Sequence, residues 1–363
     1  MREGMIKVLQ IIGNMDIGGM ESMLMNYYRN MDRDKIQFDF LIFNKNKCVY
    51  EDEIERLGGR IYRITPLRKS IIKNRSEMKR FFKNHHYETI ETHQGVACLF
   101  TLRLAKKYHT KNIIVHNHGI HKKYKSGIFN LFRKWYILPY IERNATAFFA
   151  CSKSVLSDLF SRNIIRQKRY HIINNAVDVE RFAFDNKERN IQRKRMKVDK
   201  KFVIGHVGNF TYPKNQIFIV EIARQMPELL FVLVGSGEYY DACKKDAPEN
   251  VLFYGQSEEV DSLMQMFDLF VLPSLWEGLP LVAIEAQVAG LPVLLSGVVS
   301  REAVISKEVE YLPLDIKSWV KGIERYANNA GDRVRQSCAG EAKKKGFDCK
   351  TEAKRLGKLY LSL

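Results

Sequence analysis

The stretch "SLWEGLPLVAIEAQVAGLPV", residues 274–293, places two carboxylates, Glu277 and Glu285, eight positions apart around a Gly278-Leu279-Pro280 turn. The apolar run behind the turn reads as a helix over 280–289. Proline is tolerated in a first helical turn, so Pro280 is expected there, with the amides around Gly278 and Leu279 pointing out of the helix start. A phosphate or a polar sugar group suits such an end. Glu277, just ahead of the helix, can accept hydrogen bonds from a hydroxylated ligand. Glu285, about one and a half turns in, can reach a second polyol such as a ribose diol. The plainer alternative makes Glu277 an acid stabilised by the helix dipole and Glu285 a surface residue. Against it, Glu285 stands among apolar neighbours, where an unpaired charge is costly.

Outward from this stretch, strand-like and helical runs alternate along all 363 residues. "IKVLQII", "FDFLIF", "RIYRI", "ETIETH", "NIIVHNH", "AFFACS" and "YHIINNAV" punctuate the first half; "FVIGHVG", "LFVLVG", "VLFYG", "LFVLPS" and "PVLLS" punctuate the second. Helices are expected at 21–31, 214–225 and 280–289. The pattern is α/β: two Rossmann-like domains with mainly parallel sheets facing across a cleft, ligands binding beyond the carboxyl ends of the strands. The polar segment "DNKERNIQRKRMKVDKK" (185–201) separates the two series and reads as a solvated helix leading into a strand. The boundaries follow as 1–184, 185–345, and a C-terminal helix, 346–363, free to pack back on the first domain.

Glycine turns close several strands. Gly18 and Gly19 in "NMDIGGMES" open a helix and can present amides to an anion. "HVGNFTYPKNQ" puts Lys214 near a helix start, where a cation opposes the dipole unless a bound anion compensates. "LVGSGE", with Gly235 and Gly237, and "FYGQ", with Tyr254, end two more strands of the same half.

Composition bounds the rest. Hydrophobic residues make 45% and charged residues 28%, as in ordinary soluble enzymes. Six scattered cysteines form no metal-ligand spacing and read as thiols of a reducing compartment. The N-terminus reads as a strand and not a signal peptide, and no apolar run spans a bilayer. A cytoplasmic protein is expected. Net charge is +18, unevenly placed: residues 1–185 hold 33 Lys and Arg against 18 Asp and Glu, the remainder 26 against 23. The clusters 67–83 and 121–140 mix cations with aromatic and aliphatic residues, which suits an anionic membrane surface and equally suits two ordinary amphipathic helices. A nucleic-acid partner would explain the charge but leave the glycine turns and paired acids without a purpose.

With these motifs in order, the chain resembles the retaining GT-B glycosyltransferases of family four, nearest the capsule and exopolysaccharide branch. "PSLWEGLPLVAIEAQVAGLPV" is similar to the family's E-x7-E region, "IGGMES" to its N-terminal glycine loop, "ETHQG" and "HNHG" to its histidine motifs, and "VGNFTYPKNQ" to its R-x4-K loop. "CSKSVLSDL" and "NNAVDVERF" resemble two further family segments. The resemblance implies a first domain that binds acceptor and a second that binds the donor. It gives Glu277 the donor-sugar hydroxyls, with the amides of Gly278 and Leu279. Glu285 takes the ribose and Lys214 the diphosphate, with Gly18 and Gly19 supplying amides from the opposite domain. Gly235, Gly237 and Tyr254 join the donor-binding set. His93 takes the reacting sugar and His118 the acceptor side, with His116 and His121 weaker candidates.

The activity implied is transfer of a hexose from a nucleotide-diphosphate sugar, uridine diphosphate foremost, to a saccharide or lipid-linked oligosaccharide. The work belongs to capsule, exopolysaccharide or lipopolysaccharide synthesis on the inner face of the plasma membrane. No cofactor is expected. No metal is expected either: the Asp32-x-Asp34 pair reads as an exposed turn. One departure stands out, Asn209 where the family carries arginine, which compensates a developing dianion less well. A UDP-sugar 2-epimerase of the same fold and a non-catalytic nucleotide-sugar binder are the alternatives.

Overall fold

The run Ile36–Ile42 is buried at every residue, as a parallel strand covered on both faces requires. The computed structural model describes residues 4–119, 131–159, 162–332 and 334–363, and places this strand, β2, beside β1 (Ile6–Ile12). The chain divides into two compact units, Met1–Asn175 with Cys349–Leu363, and Ala176–Asp348. The division falls at 175/176 where 184/185 was expected, and the final helix belongs to the first unit.

In the first unit β3 (Ile61–Arg63), β4 (Thr89–Thr92), β5 (Asn112–Asn117), β6 (Ala147–Ala150) and β7 (Tyr170–Ile172) complete a sheet of order β3-β2-β1-β4-β5-β6-β7, parallel throughout. Helices α1 (Gly19–Asn30), α2 (Glu51–Arg56), α3 (Ile71–Asn84), α4 (Leu99–Lys107), α5 (Leu138–Asn144), α6 (Lys153–Leu159) and α7 (Arg162–Arg166) lie between strands. Strand order reverses direction between β1 and β4, the place where doubly wound sheets open a crevice at their carboxyl ends.

The second unit repeats the plan with β8 (Val203–Val207), β9 (Leu230–Val234), β10 (Val251–Gly255), β11 (Leu269–Leu272), β12 (Val293–Ser296) and β13 (Val309–Leu312) in the order β10-β9-β8-β11-β12-β13. Its helices are α8 (Asn186–Arg195), α9 (Gln216–Arg224), α10 (Tyr240–Lys245), α11 (Val260–Met266), α12 (Leu281–Val288), α13 (Ile316–Asn328) and α14 (Ala339–Lys344). Here the reversal lies between β8 and β11. The last helix, α15 (Cys349–Ser362), returns to the first unit, where it packs along α1 and buries Ala353, Leu356 and Tyr360.

The charged segment 185–201 differs from its solvated expectation. Asp185 caps α8 by accepting from the amides of Lys187 and Glu188, and the helix then docks through arginine. Arg193, buried, donates to the carbonyls of Met266, Val198 and Lys201 and to Asp268 at 2.9 Å; Arg189 pairs with the same carboxylate. Arg335 adds bonds to the carbonyls of Met264, Gln265, Phe267 and Ala289, and burial among other cations lowers its pKa to about 9. Each guanidinium fork is met by fixed carbonyls, so a sequence that looks like a linker is part of the second unit's fold.

Among the described residues no helix is long and apolar enough to cross a membrane. The basic cluster 67–83 forms α3, whose Met78, Phe81 and Phe82 are buried while Ile71 and Ile72 are exposed. Of the cluster 121–140, residues 121–130, His121 included, lie outside the described residues. The remainder exposes Leu131, Phe132, Trp135 and Tyr136.

Candidate active site

In the second unit the two loops that leave β8 and β11, the strands flanking the reversal, are joined to each other. Leu275 N–H donates to Pro213 O at 2.8 Å and Asn215 Nδ2 to Pro273 O at 3.1 Å. Lys214 Nζ lies 2.6 Å from Glu277 Oε1, which also accepts from Ser274 Oγ at 2.8 Å. Asn215 makes the junction possible by taking a left-handed conformation (φ 58°) between the turn Tyr212–Lys214 and α9, a geometry asparagine tolerates. Lys214 thus has a carboxylate partner within the second unit, an ion pair that its place near a helix start did not indicate. Tyr212 and Trp276 stand with ring centroids 5.7 Å apart beside the pair.

His206 holds the loop from below. Its Nδ1 donates to Val271 O at 2.9 Å and its Nε2 accepts from Gln216 Nε2 at 3.2 Å, while Gln216 also donates to Asn209 O. Burial, aided by the nearby Lys214 charge, lowers the imidazole to about 4 and keeps it neutral. Asn209 presents an exposed side chain at the mouth of this loop.

Pro280 sits one residue earlier than expected, at the N-cap of α12, with backbone angles of −71° and 113° outside the helix. Its carbonyl accepts from Ala283 N–H at 3.2 Å, so the amides of Leu281 and Val282, more than those of Gly278 and Leu279, head the helix. Glu285, in the next turn, is half-buried. Among the described residues its carboxylate has no hydrogen-bond or ion-pair partner, and burial raises its pKa to about 7 against the opposing pull of Arg181. Arg181 is committed elsewhere, to Asp261 at 2.6 Å.

Gly235 and Gly237 have a structural reason. Both take positive φ, 140° and 151°, and a Cβ on either would fall within 2.1 Å of Gly208 O or 2.4 Å of Phe210 O. The glycines let β9's end run beside the loop after β8, joined by Gly208 N–H to Val234 O and Phe210 N–H to Ser236 O. Tyr254 lies on the edge strand β10, half-buried.

The first unit gathers its own residues at the carboxyl ends of β4 and β5. His93 Nδ1 is 2.7 Å from His118 Nε2, and His93 Nε2 is 2.8 Å from Gln10 Oε1. His116 Nδ1 is 2.6 Å from Glu91 Oε1. Glu91 is raised above the usual carboxylate range by burial, and its second oxygen accepts from the hydroxyl of Tyr360 on α15. Desolvation holds all three imidazoles far below their usual values, His116 at about 3. His93 thus has both nitrogens engaged and meets a ligand only by releasing His118.

Gly18 is the N-cap of α1, but the Glu21 carboxyl covers that helix end: a Cβ on Gly18 would lie 2.3 Å from Glu21 Oε2. Burial raises Glu21 to about 7. An acid in the first turn is the charge that a helix N-terminus favours. Asp32 and Asp34 stand exposed in the turn before β2, as the sequence indicated.

Comparison with known proteins supplies the family and the fold. Residues 17–181 match the family model Glycosyltransferase Family 4, and residues 187–345 match Glycosyl transferases group 1. EpsF of Bacillus subtilis (strain 168), a glycosyltransferase by name, is 32% identical over 308 residues, covering 80% of this chain and 79% of its own. The Escherichia coli UDP-Gal:alpha-D-GlcNAc-diphosphoundecaprenol alpha-1,3-galactosyltransferase is 25% identical over 318 residues, 80% of each chain. Among solved structures, Anabaena Alr3699/HepE in complex with UDP and glucose aligns with TM-score 0.79 at 17% identity, over 99% of this chain and 100% of that one. WaaG, a glycosyltransferase involved in lipopolysaccharide biosynthesis, aligns at 0.71 and 14%, over 98% and 99%. Strand order, motif order and these matches converge: the chain belongs to the family-four glycosyltransferases of GT-B fold.

Proposed function

We propose that the second unit binds a uridine diphosphate sugar and that the enzyme moves its hexose, with retention, to a saccharide or lipid-linked oligosaccharide of a cell-surface polysaccharide. The observation that carries the donor reading is Glu285, a half-buried carboxylate with no protein partner among the described residues, on the helix that starts beside the Lys214–Glu277 pair. A ribose diol supplies the two donors it lacks. The galactosyltransferase named for a UDP donor and the HepE complex with UDP support uridine diphosphate; EpsF and WaaG support polysaccharide assembly.

The chemistry follows from a partner exchange. When donor enters, Lys214 turns from Glu277 to the diphosphate, and Glu277 turns to sugar hydroxyls. As the bond from the anomeric carbon to the phosphate oxygen breaks, charge builds on the leaving diphosphate. Lys214 and the helix-start amides of α12 stabilise it, fixed in advance of the reaction. The acceptor hydroxyl attacks from the same face and its proton passes to the departing phosphate, so no enzymic nucleophile and no divalent ion is assigned to the step. Asn209 replaces a cation here, so Lys214 carries more of the compensation. His93 is assigned to the transferred sugar and His118 to the acceptor side. The exposed Trp135, Tyr136, Phe132 and Leu131, in the basic half of the chain, suit a peripheral contact with an anionic bilayer.

The test is turnover of a panel of UDP-sugars with a lipid-linked acceptor, with and without chelator, reading product anomeric configuration by NMR. An α-linked product from an α-linked donor in chelator supports the reading. An inverted product or strict dependence on added metal contradicts it. Binding without product points to a nucleotide-sugar binder, and a free epimerised monosaccharide to the 2-epimerase.

A further inference from the structure

The hydrogen bonds around the first unit's histidines fix where their protons sit. Gln10 Nε2 donates to the Tyr360 hydroxyl at 3.3 Å, so Gln10 Oε1 accepts from His93 Nε2 at 2.8 Å. His93 is therefore protonated on Nε2 and presents a lone pair at Nδ1. Tyr360 donates to one oxygen of Glu91, and His116 Nδ1–H donates to the other at 2.6 Å. That leaves His116 Nε2 as a lone pair, buried and without a partner. His118 Nε2–H supplies the proton of its 2.7 Å bond to His93 Nδ1, and His118 Nδ1 is likewise buried and unpartnered. One nitrogen from each of the three rings lies within 4.8 Å of the other two.

We propose that His93, His116 and His118 form a binding site for a borderline divalent cation of the Zn2+ class, with Glu91 and Gln10 as the outer partners that aim the rings. Three neutral imidazoles and one position left to water make a tetrahedral set that such ions favour. Zn–N bonds of about 2.0–2.1 Å put ligand nitrogens about 3.3 Å apart. The spacings present, 2.7 Å for the closest pair and up to 4.8 Å, bracket that value, so side-chain rotation is enough. A carboxylate on one ligand's far nitrogen and an amide oxygen on another's are the usual means of fixing tautomer and orientation at such sites. The cation takes the place of the proton between His93 and His118. That proton moves from Nε2 to Nδ1 of His118, the ring stays neutral, and nothing is oxidised or reduced. A cation there also occupies His93 Nδ1, the nitrogen that the reading above turns toward the sugar, so on that reading loading lowers turnover.

The test is a Co2+ titration of the full, tag-free chain followed by visible absorption, with urea unfolding as a check on each variant. The expected result is one equivalent of Co2+ giving the intense d–d bands of a tetrahedral site. The bands should be lost in His116→Ala, weakened about 10- to 100-fold in affinity in Glu91→Gln, and unchanged when the exposed pair His85 and His86 is replaced by alanine. Imidazole 15N shifts of the wild type on adding Zn2+ give a readout that needs no variant: one nitrogen from each of the three rings should move together. No bands in the wild type, bands that survive His116→Ala or vanish with His85 and His86, or shifts confined to surface histidines would each overturn the site.

Discussion

Glu91 and Glu285 are both acids that burial pushes above the ordinary carboxylate range, and the two units treat them oppositely. Glu91, on β4, is met by the Tyr360 hydroxyl and His116 Nδ1, inside a network that closes through Gln10 and His93. Glu285, on α12, is met by nothing among the described residues. Burial therefore does not by itself mark a site; burial with unmet hydrogen-bonding capacity does. The first acid is satisfied within the fold's interior; the second has hydrogen-bonding capacity that, on the proposed reading, the donor meets.

Four measurements break or sharpen that contrast. The largest effect is expected at Lys214, the cation assigned to the diphosphate in the proposed mechanism. Lys214→Met should lower kcat by about 100- to 1000-fold, the usual loss when one preorganised group facing a developing anion is removed. Steady-state kinetics at saturating donor read it, and a drop below tenfold would move the diphosphate elsewhere. Next comes Glu91→Ala, which strands Tyr360 and His116 in the interior. It should destabilise by about 3 kcal/mol in urea unfolding, where Glu285→Ala should cost nothing above neutral pH.

The third measurement is the pH dependence of Glu285. Its folded pKa, about 7, lies above the reference value of 4.5, so the folded state holds the extra proton between those values. Stability then falls as pH rises through that window and stays lower above it. Glu285→Gln should match the wild type near pH 4.5 and exceed it by up to about 3 kcal/mol at pH 8. A constant difference across the range would show that burial does not perturb the group. The smallest effect is Tyr360→Phe, which removes the hydrogen bonds to Glu91 and from Gln10 and should cost about 2 kcal/mol while leaving donor affinity unchanged.

Much of the fold was legible because its signals are local. Period and burial gave the strands, and the helices at 19–30, 216–224 and 281–288 start or stop within two residues of expectation. The acidic pair was legible for the same reason: eight positions on one turn and helix form a local pattern. What escaped was long-range. Gln10 and Tyr360 stand 350 positions apart, and nothing at either position indicates that they join around His93 and Glu91. Arg189 and Arg193 look like a solvated run until Asp268 and the carbonyls at the C-terminal end of α11 are seen to receive them. Gly235 and Gly237 were legible as a strand-end turn, but the close passage of the Gly208–Phe210 backbone that each accommodates is a contact between separate loops and was not.

The most direct test of the central claim is a calorimetric titration of the wild type and Glu285→Ala with UDP and UDP-glucose in chelator, at pH 8. The account requires saturable binding by the wild type and a loss of about 10- to 100-fold in the variant, the worth of hydrogen bonds to one charged group. Equal affinity in the two proteins would contradict it, because Glu285 would then be a buried charge that no donor meets.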